Sequence, residues 1–175
     1  YRLPRNIIEA ETKRILDTGI ELKLNYKVEN VEHEMKTGNF DACFLAIGAH
    51  LAKRINIPTP DTSKILDAAG VLREMETGKN PPKLGRRVVV YGGGDTAVDV
   101  ARTAKRLGAE ETIIVYRSGP GQMKAHDFEV KEALEEGVKL NWLSTIKEMD
   151  ASGSIKVEKM ELDEDGYPKP TGKFE

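Results

Sequence analysis

Three consecutive glycines, Gly92, Gly93 and Gly94, follow a β-branched run and precede a stretch with helical periodicity. With Ala97 they form the pattern G-x-G-x-x-A. In this pattern Gly92 permits a tight turn, and Gly94 lets a phosphate approach the backbone. The small Ala97 lets the helix pack on the strand. Free N–H groups and the dipole at such a helix start hold phosphates. The pattern therefore predicts binding of a dinucleotide diphosphate.

Asp95 and Thr96 follow the glycines at the predicted start of this helix. Either side chain can cap the helix by accepting a hydrogen bond from a backbone N–H group. A carboxylate that faced the phosphates would be repelled by them. We therefore expect Asp95 to cap the helix or to contact a ribose, and we include both residues among the cofactor-binding candidates.

Arg117 lies 25 residues after Gly92, at the end of the second predicted strand. NAD sites usually place an acid there to bind the ribose hydroxyls, whereas an arginine accommodates the 2′-phosphate of NADP. A charge-assisted contact of this kind contributes about 1.5–3 kcal/mol. We expect NADP as the cofactor, with NAD as the alternative. An arginine that merely pairs with a surface carboxylate is the other interpretation.

The segments around the glycines follow the order strand, helix, strand that a dinucleotide-binding unit requires. A further helix that stops at a glycine is followed by an alternating strand and by a hairpin with a short turn. The polar tail, rich in glycine and proline, is expected to be poorly ordered. The predicted bounds are strands at 88–91, 112–116 and 138–143, helices at 95–107 and 125–136, a hairpin over 146–162 and the tail at 163–175.

The N-terminal part has the same alternation of element types. Residues 3–19 predict a helix that ends at Gly19, and residues 64–78 predict another helix. Residues 20–26 alternate like a half-buried strand, and residues 40–48 form an apolar run like a strand covered on both faces. The sequence therefore predicts an α/β protein with a three-layer Rossmann-type parallel sheet and part of a second such domain.

Two segments of the chain share one scheme. Residues 14–32 and 132–150 both read as helix, glycine stop, strand and polar turn, with the glycines at Gly19 and Gly137. Gly92 lies 45 positions before Gly137, and the equivalent position before Gly19 falls ahead of residue 1. We expect two related halves, of which the first lacks its glycine loop here.

Composition excludes several classes of function. The chain of 175 residues has 27 basic and 29 acidic side chains, which gives no electrostatic reason to expect nucleic acid or an anionic membrane as a partner. No apolar run approaches a membrane span. The single cysteine, Cys43, allows neither an internal disulfide nor an iron–sulfur cluster ligated by this chain alone. We expect its thiol to be buried and the protein to be cytoplasmic.

Several segments in order resemble the small (beta) subunit of glutamate synthase and related NADPH-dependent FAD oxidoreductases. They are "YRLPRNII", "FDACFLAIGAH", "GGGDTAVDVARTAKRLGA" and "IIVYR" with "QMKAHDFEVKEALEEGV". The resemblance implies an NAD(P) domain inserted in an FAD domain, with hydride passing from NADPH to FAD and electrons passing on to iron–sulfur centres or a partner subunit. It divides the chain into an FAD-domain segment (1–60), a connector (61–84) and the NAD(P)-binding domain (85–175).

The resemblance also assigns residues on the FAD side. Ala46 and Gly48 match the A-T-G strand end that lies beside the FAD in this family, with Ile47 in place of the threonine. Because the family's FAD pyrophosphate loop lies upstream of residue 1, the chain by itself is expected to hold FAD weakly and to be inactive.

On the nucleotide side, relatives usually read Y-R-R-x-R-x-x-M-P-A where this chain has "YRSGPGQMKA". Ser118 and Pro120 replace two arginines, and Lys124 replaces the proline. Lys124 can supply a second cation beside Arg117, so the resemblance makes it a candidate for binding the 2′-phosphate.

Two functions from other classes stay open from the residues alone. One is a non-catalytic nucleotide-sensing module, and the other is an S-adenosylmethionine-dependent transferase, against which Arg117 argues because an acid suits that cofactor's ribose. His126 and Asp127 are expected to begin a helix rather than to act as a catalytic pair, because hydride transfer to flavin needs positioning rather than a protein acid. Asp99 and Arg102 have the spacing of a surface pair. No catalytic residue and no metal ligand is predicted.

Overall fold

The computed structural model describes residues 3–48, 55–60, 65–76 and 83–175. The chain divides into two compact units, Tyr1–Gly48 and Ala49–Glu175. Within the described residues, no helix is long and apolar enough to cross a membrane.

The described residues of the first unit contain two helices. Helix α1 (Arg5–Leu16) forms where it was predicted, and Gly19 beyond its end has the positive φ of +94° that favours glycine. Helix α2 (Val31–Thr37) was not predicted; only its first two residues belonged to a segment interpreted as a polar turn. Its start is capped by Asn30, whose side chain accepts a hydrogen bond from the His33 N–H group at 3.0 Å.

The two strands predicted in this unit are absent. Residues 20–26 and 40–48 have no strand pairing, and their apolar side chains face solvent, with Leu24 73% and Phe44 91% exposed. Cys43 is likewise exposed rather than buried. A strand is stabilised by hydrogen bonds to a neighbouring strand. An alternating or apolar run indicates that a segment suits a sheet, but it does not supply the neighbour.

The second unit contains the predicted strand–helix–strand order. Its parallel sheet has the strand order β1–β2–β3. This arrangement confirms the α/β class and the Rossmann-type parallel sheet. In chain order the elements are helix α3 (Ala68–Glu76), strand β1 (Arg87–Tyr91), helix α4 (Asp95–Arg106), strand β2 (Glu111–Val115), a short 3-10 helix (Pro120–Gln122), helix α5 (Asp127–Glu135) and strand β3 (Lys139–Asn141).

The core of this unit lies between α4 and the parallel sheet. Ala97, Ala101 and Ala104 are at most 8% exposed, and Val90 of β1 and Ile114 of β2 are buried in the same cluster as the first two. Small side chains spaced three and four residues apart let the helix axis approach the strands closely. Packing of this kind holds the start of α4 at the carboxyl ends of β1 and β2.

The remaining residues form a separate antiparallel sheet, rather than a continuation of the parallel one. The strands are β4 (Ser144–Met149), β5 (Ile155–Leu162) and β6 (Pro168–Phe174), paired in that order. The hairpin of β4 and β5 confirms the prediction, whereas the expectation of a poorly ordered tail is wrong. Asp163 closes the β5–β6 turn by accepting the Tyr167 N–H group at 2.7 Å. Two prolines are tolerated in β6 because it is an edge strand.

Helices α4 and α5 are joined by a buried arginine. The Arg102 guanidinium, 7% exposed, contacts Glu132 of α5 and Glu136, the C-cap residue of α5, at 2.7 Å each. Arg106 contacts Glu136 at the same distance. Hydrogen bonds from Arg102 and then from Arg106 lower the pKa of the Glu136 carboxyl. The expectation of an ordinary surface pair was wrong for Arg102, because its charge is buried between the helices.

Candidate nucleotide-binding site

Gly92 begins the turn that leaves β1. Its φ of +149° lies in the region that favours glycine, and its N–H group donates to the Val115 carbonyl at 3.2 Å. A Cβ at Gly92 would be 3.5 Å from the Ala97 side chain. The first glycine of the pattern is therefore required by the turn itself, as the sequence predicted.

Gly94 is the N-cap residue of α4, yet neither its backbone nor its neighbours require a glycine. Its φ of −99° and ψ of 174° suit any residue. No heavy atom of the described residues beyond the adjoining ones lies within 4 Å of the place that a Cβ would occupy. The space above the start of α4 is therefore open.

The amides beside this space are available to a ligand. Hydrogen bonding within the α4 turn begins at Ala97 and Val98, whose N–H groups donate to the Gly94 carbonyl at 2.9 and 3.3 Å. In the described part of the chain, no acceptor is found for the N–H groups of Gly94, Asp95 and Thr96. Unpaired amides and the helix dipole next to open space are the features that bind phosphate.

The Asp95 side chain has a different role from the predicted cap. No side chain caps α4. Instead, Asp95 Oδ1 accepts the N–H group of His126 at 3.1 Å, which fastens the start of α5 to the start of α4. This contact directs the carboxylate to a backbone donor. Thr96 is exposed on the first turn. The ribose contact of Asp95 stays a prediction.

Lys124 lies next to the glycine turn. The Gly93 carbonyl accepts N–H groups from both Lys124 and Ala125, at 2.9 and 3.0 Å. The Lys124 side chain is exposed, and it forms no ion pair with any residue that the structure describes. The N–H groups of Lys124, Ala125 and His126 thus bind Gly93 and Asp95, and they hold the Lys124 side chain beside the glycine turn.

Arg117 follows the end of β2 by two residues and is exposed. No carboxylate pairs with it in the described ranges. The alternative interpretation, in which Arg117 pairs with a surface carboxylate, therefore receives no support from these residues. The carboxyl ends of parallel strands face one edge of the sheet, so Arg117 and the glycine turn lie at the same edge.

Tyr116 was missed by the sequence reasoning. Its ring lies against Gly93, where an added Cβ would come within 2.8 Å of Cζ and closer still to Cδ2 and Cε2. Its hydroxyl donates to the Gln122 carbonyl at 2.8 Å, and its ring meets Trp142 edge to face at 6.1 Å. Gly93, the variable position of the pattern, therefore has a reason of its own to be glycine.

Comparison with known proteins decides the family. The family model described as "Pyridine nucleotide-disulphide oxidoreductase" matches residues 5–168. The chain belongs to this family.

Two curated relatives agree with the resemblance to glutamate synthase small subunits. The "NADP(+)-dependent formate dehydrogenase subunit beta" of Moorella thermoacetica is 35% identical over 146 residues, which cover 82% of this chain and 21% of that protein. The "Glutamate synthase [NADPH] small chain" of Escherichia coli (strain K12) is 32% identical over 186 residues, covering 99% and 39%. The resemblance is confirmed, and the chain spans less than half the length of either relative.

A solved structure supports the fold. The chain of a 2-naphthoyl-CoA reductase complex aligns with a TM-score of 0.61 and 19% identity, over 91% of this chain and 22% of that chain. At this identity the likeness shows the fold alone, and it agrees with the FAD/NAD(P)-binding architecture of the pyridine nucleotide-disulphide oxidoreductases.

The FAD-side candidates lie in the first unit. Ala46 and Gly48 are exposed, and Gly48 has a φ of +70°, which favours glycine. Ile47 is 74% exposed. Their place beside FAD stays a prediction.

His126 and Asp127 occupy the start of α5, as expected. His126 is the N-cap residue, but its side chain makes no capping bond and stacks on Phe128 with a centroid distance of 5.7 Å. Asp127 begins the helix, where a negative charge is favourable. This arrangement gives both residues a role in the helix start.

Proposed function

We propose that this chain binds the adenosine diphosphate part of NADPH at the start of α4, as part of a flavin-dependent oxidoreductase. The proposal rests on the conformation and the surroundings of Gly94. Its backbone accepts any residue and its Cβ position is open, so the fold itself does not need glycine there. A ligand that must approach the backbone closely accounts for it.

The choice of NADPH over NADH is supported by two cations. Arg117 and Lys124 are exposed near the glycine turn, and neither is paired with an acid among the described residues. An arginine fork matches a phosphate geometrically, and a lysine adds a second charge. The proposal assigns the 2′-phosphate to Arg117 and Lys124, and the diphosphate to the amides of Gly94, Asp95 and Thr96.

When bound, NADPH would supply a hydride, and FAD would be its acceptor. The residues of this chain then bind and orient the nucleotide, with Ala46 and Gly48 assigned to the FAD side. Because Cys43 is the single cysteine, a cluster with four cysteine ligands would lie outside these 175 residues. We propose onward transfer to iron–sulfur centres or to a partner subunit; the name of the Moorella relative, a subunit beta, supports the partner subunit alone.

Titration of NADPH and NADH against the chain and its Arg117→Ala variant tests the proposal. Loss of one charge-assisted phosphate contact weakens NADPH binding by about tenfold or more and leaves NADH binding nearly unchanged. Arg86→Ala is the matched control, since Arg86 is exposed at the opposite end of β1 and pairs with Glu110 at 2.6 Å.

Two results would contradict the proposal. An unchanged ratio of NADPH to NADH affinity in Arg117→Ala would remove the assigned role of this arginine. Thermal stabilisation of the chain by S-adenosylmethionine, without stabilisation by either nicotinamide nucleotide, would replace the cofactor assignment altogether.

A further inference from the structure

The loop between β2 and α5, residues 116–126, holds both proposed phosphate-binding cations and is itself held firmly. At its start the Tyr116 ring packs against Gly93. At its end the amides of Lys124 and Ala125 donate to the Gly93 carbonyl. The loop is therefore attached to the glycine turn on both sides of the segment that contains Arg117.

Gln122 connects the middle of this β2–α5 loop to three other places. Its carbonyl accepts the Tyr116 hydroxyl at 2.8 Å, and its Nε2 donates to the Gly166 carbonyl in the β5–β6 turn at 2.6 Å. Its Oε1 accepts the Gly119 N–H group at 3.3 Å, and its own N–H group donates to the Gly119 carbonyl at 3.1 Å. One exposed side chain thus fixes a short turn and joins it to the antiparallel sheet.

The first half of the loop is restrained in the same way. Ser118 is 7% exposed, and its carbonyl accepts the Leu143 N–H group at 3.2 Å. Pro120 has a fixed φ and begins the 3-10 helix. Arg117 is therefore flanked by Tyr116 and Ser118, both of which are held in place.

We infer that Tyr116 and Gln122 are positioning residues for recognition of the 2′-phosphate. The proposed function assigns them no phosphate contact; they fix the backbone that presents Arg117 and Lys124. Binding a ligand to a loop that is already ordered avoids the entropic cost of ordering it. The inference rests on the proposed function, because it takes the 2′-phosphate of NADPH as the group that the two cations meet.

The test compares 2′,5′-ADP with 5′-AMP, which differ by the 2′-phosphate alone. Isothermal titration is performed on the full chain, on Tyr116→Phe and on Gln122→Ala. Tyr116→Phe removes one hydrogen bond, from its hydroxyl to the Gln122 carbonyl, and Gln122→Ala removes two, to Gly119 and Gly166. Each change weakens 2′,5′-ADP binding by about five- to tenfold, while 5′-AMP binding changes by less than about twofold. Tyr26→Phe is the matched control, because Tyr26 belongs to the first unit and its hydroxyl likewise loses a hydrogen bond, to Glu34 at 2.9 Å.

The ratio of the two affinities separates positioning from general destabilisation. If the ratio of 2′,5′-ADP affinity to 5′-AMP affinity stays unchanged in both variants, the inference is overturned. If the ratio changes in one variant alone, the role of the other residue is overturned. Tyr116→Phe keeps the ring over Gly93, so the fold survives in at least that variant. If the unaltered chain binds neither nucleotide, the proposed function fails as well; if it prefers 2′,5′-ADP and the variants keep that preference, the positioning inference fails alone.

Discussion

Gly93 and Gly94 are adjacent, but replacing each by alanine should cause a different loss. Gly93→Ala should lower stability, because the added methyl group meets the Tyr116 ring. Gly94→Ala should leave stability nearly unchanged and weaken nucleotide binding, because its methyl group enters open space at the start of α4. The pair carries the same chemical change one residue apart, so each variant serves as the control for the other.

For Gly93→Ala the magnitude follows from what the methyl group contacts. Three ring atoms of Tyr116 would lie within 2.8 Å, and this ring is fastened through its hydroxyl to Gln122. Overpacking of this kind costs about 1–3 kcal/mol, and the restricted unfolded chain returns about 0.4–1 kcal/mol. We expect a net loss of about 1–2 kcal/mol and a melting temperature lowered by about 2–8 °C.

For Gly94→Ala two contributions to the free energy of unfolding nearly cancel. Alanine is a poorer N-cap than glycine by about 0.5–1 kcal/mol, while the entropy of the unfolded chain favours alanine by about 0.4–1 kcal/mol. Stability should therefore stay within about 0.5 kcal/mol of the original value. A methyl group between the amides and a phosphate should weaken NADPH binding by about tenfold or more.

Urea unfolding followed by circular dichroism measures the stabilities, and isothermal titration with NADPH measures the affinities. A double variant, Gly93→Ala with Tyr116→Ala, should lose less than the sum of the two single losses, because the clash is then absent. If Gly94→Ala binds NADPH as tightly as the original chain, the open space at Gly94 does not receive a phosphate and the reasoning fails.

Two further predictions concern the contact between α4 and α5. Arg102→Ala should lower the free energy of unfolding by about 2–3 kcal/mol, because it removes the buried guanidinium that contacts Glu136. Arg106→Ala should lower it by less than about 1 kcal/mol, because the Arg106 guanidinium is half exposed. Urea unfolding of the two variants compares these losses. Because the folded state lowers the pKa of Glu136, this carboxylate stabilises the fold above its unfolded pKa of about 4.3 and loses that effect as the pH falls below it. The stability advantage of the original chain over Glu136→Gln should therefore shrink between about pH 5 and pH 3, and an advantage that stays constant over this interval would contradict the assignment.

The strand–helix–strand part of the fold was predictable because its signals are local. The β-branched run before Gly92, the apolar stripe of α4 and the glycine stop at Gly108 each lie within one element or directly after it. Strand β6 was not predictable in this way, because its prolines and glycine read as disorder until β5 supplies a partner. The segments at 20–26 and 40–48 show the opposite error, in which a local pattern was present and the pairing was absent.

The residue types of the candidate nucleotide-binding site were predictable, but the contacts that organise it were not. The fingerprint identifies Gly92 and Gly94, whereas the packing of Tyr116 on Gly93 joins two segments that are far apart in sequence. The same holds for Asp95, which was expected to cap its own helix and instead fastens the next one. Such contacts depend on the path of the β2–α5 loop, and no periodicity in the sequence encodes that path.

The hydrogen bond from Gln122 to the Gly166 carbonyl joins the proposed coenzyme region to a turn that has no part in the nucleotide fingerprint. If Gln122 positions the two cations as we infer, substitutions in that turn should alter coenzyme preference without contacting the coenzyme. Laboratory evolution of this family toward NADH would then have a second place to select variants, at a distance from the charged residues where such work usually begins.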